Sequence, residues 1–179
     1  FLYIWAGSIR WDEVTCFAVE FIHLDFIVLF TIYIFLVIWI ILFKLSVSID
    51  QLTHFRSINL IPFYYPNKTT YQIREVLDNL IIFIPFGLYL KTLNINSDRT
   101  IFLGFLLSIS LELSQYIFCL GASDITDLIT NTTGVLVGVG LYYLLKKIFK
   151  EKTNKIILAL AAIVTILFVS LIIIILINN

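Results

Sequence analysis

The sequence predicts an all-α, polytopic helical membrane protein with about five transmembrane helices. Three observations lead there. Hydrophobic residues fill 60% of the 179 positions and charged residues only 13%. The mean hydropathy is +1.02. The apolar residues are also gathered into long runs separated by polar connections. Soluble domains of this length carry roughly 25% charged residues. A run that crosses the hydrocarbon core needs roughly 20 mostly apolar residues and must bond its backbone groups internally, which makes each run a helix.

The first run is Phe26 to Phe43. The aromatic-rich stretch before it, Phe1 to Phe21, is interrupted by Arg10, Asp12, Glu13 and Glu20, so residues 1–22 are expected to form an interfacial segment rather than a span. That stretch has neither the basic start nor the cleavage site of a signal peptide. A sequence that begins with Phe1 and contains no Met is expected to lack its natural start. Leu77 to Leu93, Ile101 to Cys119 and Thr132 to Phe149 supply the next three spans, giving a four-span unit over residues 23–150. Residues 151–179 add a basic connection and a fifth span, Ile156 to Ile177, which carries no charge.

Charge placement sets the orientation, because Lys and Arg near span ends are retained on the cytoplasmic side. Lys146, Lys147, Lys150, Lys152 and Lys155 lie between the fourth and fifth spans, so that connection is assigned inside. Alternation then puts the Lys91 to Thr100 turn inside, and Ser46 to Val76 and Leu120 to Asn131 outside. Eight of the 12 basic residues fall inside; Lys44, Arg56, Lys68 and Arg74 do not. Their excess on an outer loop reflects either a function for that loop or the inverse topology, and the first reading is preferred. Asp and Glu also total 12, so net charge points to no nucleic-acid partner. Cys16 and Cys119 have no Cys or His at metal-ligand spacing, and neither a disulfide, a metal site nor a cofactor is expected.

Polar groups placed close to lipid mark the candidate site. The outer connection of about 30 residues is long for a linker and contains Arg56 and Asn59 ahead of Pro62 and Pro66. It suits a re-entrant or surface-lying segment, or an amphipathic loop resting on headgroups. Asn79, near the start of the second span, either caps that helix or points into the bundle; capping is favoured by propensity. Glu112 lies within the third span. It shares one helical face with Ser108, Gln115 and Cys119. A carboxyl group inside a membrane is costly unless paired, protonated or hydrated, so Glu112 is the strongest single candidate, against a purely helix-cementing role. Asp124, Asp127 and Asn131 share a face with Gly134 and Gly138, whose spacing lets a neighbouring helix approach closely. Taken alone, Asp124 and Asp127 read best as an acidic capping pair. Under the assigned topology all these groups reach the outer half of the membrane. Together Arg56, Asn59, Asn79, Glu112, Gln115, Asp124, Asp127 and Asn131 would line one ligand-binding pocket, suited to a polar headgroup, an amino or guanidinium group, or a cation held by oxygens.

The motifs Asn59-Leu60-Ile61-Pro62-Phe63, Asn79-Leu80-Ile81-Ile82-Phe83-Ile84-Pro85-Phe86-Gly87, Glu112-Leu113-Ser114-Gln115 and Ser123-Asp124-Ile125-Thr126-Asp127, the last running on to Gly134, resemble the VanZ-like family in order and spacing. The resemblance runs from about Arg56 to Gly138. It implies a small multi-pass protein of the bacterial cell membrane, in a family associated with low-level teicoplanin resistance. Members often carry an Arg just before the first Asp of the outer turn, where this chain has Gly121-Ala122-Ser123. The leading functional expectation is a protein that engages a membrane lipid or lipid-linked cell-wall intermediate through the outward pocket. One alternative is an intramembrane enzyme using Glu112 or Asp127 on a lipid-linked substrate; no Ser-His-Asp order, His-rich motif or Gly-rich phosphate loop supports it, and no catalytic residue is assigned. The other is a structural membrane assembly protein. The sequence assigns no oligomeric state.

Overall fold

A computed structural model describes residues 11–43, 55–64 and 69–177, the side chains of 11–25, 43, 55–56, 69–72, 171–172 and 175–176 excepted. The start of the expected interfacial segment, together with Lys44, Pro66 and Lys68, lies outside the described residues. The chain is mainly helical: α1 (Trp11–Phe43), β1 (Phe55–Asn59), α2 (Thr69–Thr92), α3 (Ser97–Ile117), β2 (Leu120–Asp124), α4 (Ile125–Phe149) and α5 (Thr153–Ile177). A single 3-10 turn, Lys150–Lys152, joins the last two.

Helix boundaries follow backbone bonding more than apolarity. The helix α1 continues through residues 22 and 23, where the composition changes from mixed to apolar. The helix α2 begins well before the apolar run at Leu77, across Arg74 and Asp78, whose side chains form an exposed pair at 3.6 Å one turn apart. Such pairs support a helix slightly, and charge alone does not end one. Among the described residues, two stretches are long and apolar enough to cross a membrane, Ser97–Ile117 and Ile125–Ser170, with a shorter apolar helix at Phe26–Leu42. The second stretch would measure roughly 70 Å as one helix, more than twice the hydrocarbon thickness. It is divided at Lys150, whose φ of 50° ends α4, while Thr153 Oγ1 donates to the Lys150 carbonyl at 2.7 Å as α5 begins.

The bundle is organised around α2 and α4, which meet backbone to backbone. A Cβ at Gly134 would collide with the Leu80 carbonyl, one at Gly138 with the Ile84 carbonyl, and one at Gly87 with the Val135 carbonyl. Glycines on both helices therefore interlock, as the spacing of Gly134 and Gly138 predicts, with Gly87 as the answering position on α2. On the other side of α4, Gly104 of α3 receives the Val135 side chain. Val37, Phe83, Phe86, Leu90, Leu111 and Val135 close the core across α1 to α4.

The helix α2 runs on past Pro85, which has no N–H to donate along the helix. Nearby, the Tyr33 hydroxyl on α1 donates to the Ile82 carbonyl at 2.8 Å. Tyr33→Phe removes that bond without altering packing, and is expected to lower stability by about 0.5–1.5 kcal/mol. Unfolding of the detergent-solubilised protein, followed by circular dichroism, measures it; an unchanged midpoint would show that the bond contributes nothing.

Basic groups gather at one end of the bundle. There Asn96 caps α3 by accepting from Arg99 N at 3.0 Å, Lys91 donates to the Ile95 carbonyl at 2.8 Å, and the Lys91 ammonium lies 5.1 Å from the Tyr143 ring centre. At the opposite end the chain departs from a purely helical plan. The strands β1 and β2 pair in parallel, Phe55 opposite Leu120 through to Asn59 opposite Asp124. The segment expected to be re-entrant or surface-lying thus begins as a strand, anchored to the connection between α3 and α4.

Candidate functional site

The strand pair places Asn59 beside Asp124, and the site grows from that contact. Asp124 ends β2 and is also the N-cap of α4: one carboxylate oxygen, Oδ1, accepts from Thr126 N at 2.8 Å. Its other oxygen, Oδ2, accepts from Asn59 Nδ2 at 3.0 Å. Asn59 in turn accepts from Ile61 N at 3.1 Å, which folds the chain back after β1. Phe63 N then donates to the buried Thr126 hydroxyl at 3.0 Å, so the Leu60–Tyr64 segment is tied down over the start of α4.

From α3, Glu112 reaches the same junction. Its Oε2 accepts from Asp124 N at 2.9 Å, and its backbone carbonyl accepts from the Ser123 hydroxyl at 2.6 Å. One turn nearer the end of α3, Gln115 Nε2 donates to the Ile41 carbonyl of α1 at 3.0 Å. One turn in the other direction, the Ser108 hydroxyl accepts from Asn131 Nδ2 of α4 at 3.0 Å. Ser108, Glu112 and Gln115 are all buried, as a shared helical face requires. The fourth member of that face, Cys119, lies beyond the end of α3 in a backbone conformation with φ of 56°.

Three acceptors remain unmet in this cluster: Glu112 Oε1, Gln115 Oε1 and Asn131 Oδ1 are buried and have no hydrogen-bond partner among the described residues. Asp127, in the first turn of α4, together with Asp124 and Glu75 of α2, lies within electrostatic reach of Glu112. The cluster is therefore rich in acceptors and negative charge. Among the described residues, no three His, Cys, Asp or Glu side chains are grouped so as to hold a metal ion.

Of the eight residues proposed from the sequence, Asn59, Glu112 and Asp124 form one bonded chain, Gln115 and Asn131 flank it on α3 and α4, and Asp127 lies within its field. Asn79 does not cap a helix, because α2 begins at Thr69 and Asn79 lies in its interior, half-buried. Arg56 is opposite Gly121 in the strand pair, and its side chain is outside the described ones. Asp124 does cap, as the reading of the acidic pair preferred. Sequence alone assigns no role to the Ser123 hydroxyl, the Thr126 hydroxyl or the Ile41 carbonyl. Ser and Thr flanking an N-cap Asp were a usable signal for the first two; a backbone carbonyl leaves none.

The sequence profile of the VanZ/LLP1 family matches residues 30–146, a span that contains β1, α2, α3, β2 and the whole bonded cluster. The chain belongs to this family. The VanZ/LLP1 match extends on both sides of the Arg56 to Gly138 motif region, taking in most of the apolar part of α1, and stops before α5. Protein VanZ of Enterococcus faecium is 44% identical over 131 residues, covering 69% of this chain and 77% of that protein. No solved structure matches the chain.

Proposed function

We propose that this VanZ/LLP1 protein is a multi-pass protein of the bacterial cell membrane whose polar cluster faces outward and engages an envelope lipid or a lipid-linked cell-wall intermediate, thereby lowering susceptibility to a glycopeptide such as teicoplanin. The observation that carries this reading is the cluster itself: three buried acceptors left without donors beside several carboxylates, at the end of the bundle opposite Lys91, Lys146 and Lys147. Retention of basic residues on the cytoplasmic side would turn that polar end outward. Five helices crossing the bilayer would also account for α5, which leaves Ile163, Val164, Ile166 and Leu167 exposed, an apolar surface suited to lipid and not to water. An ionisable group inside a membrane, as Glu112 would be, is costly and is by default a candidate for a ligand or ion path.

The test is glycopeptide susceptibility of cells expressing Glu112→Gln or Asp127→Asn. Each substitution is close to isosteric and removes a charge at the cluster. Both are expected to restore susceptibility to that of cells lacking the protein, with membrane abundance unchanged. Resistance retained in both variants would overturn the proposal, and resistance lost only together with protein abundance would favour a structural role for these groups.

A further inference from the structure

The unmet atoms of the cluster are oxygens, although the Asn131 amide, held by a hydroxyl that both donates and accepts, can turn to offer its NH2 group instead. Glu112, Gln115 and Asn131 are 8%, 5% and 1% exposed, and in each the orphaned atom is an oxygen. In each the remaining polar atom is already committed: Glu112 Oε2 to Asp124 N, Gln115 Nε2 to the Ile41 carbonyl, and Asn131 Nδ2 to the Ser108 hydroxyl. The Gln115 amide cannot be turned round to offer its NH2 group instead, since a carbonyl only accepts and would then face an oxygen. A buried acceptor left unmet carries its full desolvation penalty. Three of them where α3 meets α4, unmet by any described residue, point to donors supplied from beyond these two helices.

Charge narrows the class of donor. Asp124, Asp127 and Glu75 surround Glu112 electrostatically, which disfavours an anionic group there and favours a cation. Among the described residues no three His, Cys, Asp or Glu side chains are grouped into the carboxylate-rich cage that a divalent metal ion favours. An organic cation with several N–H bonds fits both the acceptor set and the charge.

We propose that the cluster binds a primary ammonium group, with the free oxygen of Glu112 accepting one of its N–H bonds. This rests on the reading that the cluster engages an envelope lipid, and names the headgroup chemistry. The ammonium is carried by a membrane lipid or by a soluble amine, and the two sources share the same recognition.

Equilibrium binding by native mass spectrometry separates them, using the full chain in detergent with lipids of matched acyl chains: phosphatidylethanolamine, its trimethylated counterpart phosphatidylcholine, and phosphatidylglycerol. Trimethylation keeps the positive charge and removes every N–H donor. Phosphatidylethanolamine is expected to bind at least about tenfold more tightly than either of the others, since a bond to a charged group contributes about 1.5–3 kcal/mol. Glu112→Gln should reduce that preference to near unity. Displacement of the lipid by free ethylammonium would show that the amine alone is sufficient; preference without displacement would assign the site to a lipid.

Equal binding of phosphatidylcholine or phosphatidylglycerol by the unsubstituted protein overturns the ammonium assignment, and that comparison needs no variant to fold. If phosphatidylglycerol is preferred and lost in Glu112→Gln, the cluster remains a lipid site of another chemistry. If none of the lipids binds while glycopeptide resistance still depends on Glu112, the ammonium assignment fails and the functional proposal stands.

Discussion

Replacing Gly138 with leucine is expected to leave no monodisperse, cooperatively unfolding protein in detergent. At this position even a methyl group collides with the Ile84 carbonyl, and the Gly87 Cα is only 3.1 Å from where it would be. The obstacles are backbone atoms of a helix interior, which cannot rotate aside as a side chain can. To admit leucine, α2 must move away from α4. That movement would also open the contacts at Gly134 with Leu80 and Phe83, because the same two helices make both. Overpacking of an ordinary core costs about 1–3 kcal/mol. A forced separation of the two central helices loses several such contacts together, against a total stability of only about 5–15 kcal/mol for a domain.

Gly138→Ala should already lower the unfolding midpoint. Gly140→Ala is the control: no atom lies within 4 Å of its added Cβ, and alanine is the better helix former by about 1 kcal/mol, so its midpoint should be unchanged or raised. Size-exclusion chromatography and thermal unfolding by circular dichroism decide it. A Gly138→Leu protein that elutes and unfolds like the parent would show that the glycine contact does not hold the helices together.

That contact was legible in the sequence because a four-residue spacing of small residues on an apolar helix has few other uses. Its partner Gly87 carries no such mark in the sequence, since which helix fills a groove depends on the tertiary arrangement. The helices themselves were legible as apolar runs, whereas their ends were not: residues such as Arg74 and Asp78 interrupt hydrophobicity without interrupting backbone bonding. The strand pair was invisible for a different reason. It joins five-residue segments 65 positions apart, and neither Phe55–Asn59 nor Leu120–Asp124 carries enough alternation to announce a strand by itself. Missing that pair meant missing what brings Asn59 to Asp124. The candidate cluster was therefore identified by residue type and approximate depth, while the bonds that assemble it came from the nonlocal pairing. Glu112 was singled out by the cost of burying a carboxyl group. No pattern in the sequence pointed to its contact with a backbone N–H at the start of α4.

Asp124 carries two duties that substitution can separate. Asp124→Ala removes the acceptor for Thr126 N, which caps α4, and the acceptor for Asn59 Nδ2, which ties β1 to the cap. Loss of a cap costs about 0.5–2 kcal/mol. Loss of a partly buried bond to a carboxylate costs about 1.5–3 kcal/mol. The two share a residue and are not strictly additive, so the alanine variant is expected to lose about 2–4 kcal/mol. Asp124→Asn behaves differently. Asparagine caps helices as well as aspartate does, so its oxygen can keep Thr126 N. Its NH2 group would then face Asn59 Nδ2, donor against donor. Asn59 cannot turn its own amide to compensate without giving up the bond from Ile61 N to its oxygen.

The expected order of unfolding midpoints is therefore parent, then Asp124→Asn, then Asp124→Ala, with amide exchange in residues 55–59 accelerated in both variants. Equal midpoints for the two variants would mean that the cap contributes nothing, and a parent-like Asp124→Asn would mean the same of the strand tie. The bond from Asp124 N to Glu112 uses the backbone and survives either change, so Glu112 stays anchored to the start of α4 while the charge beside it is removed. An Asp124→Asn protein that remains folded but binds an ammonium lipid less tightly would then assign the Asp124 charge to the ligand, over and above its part in the fold.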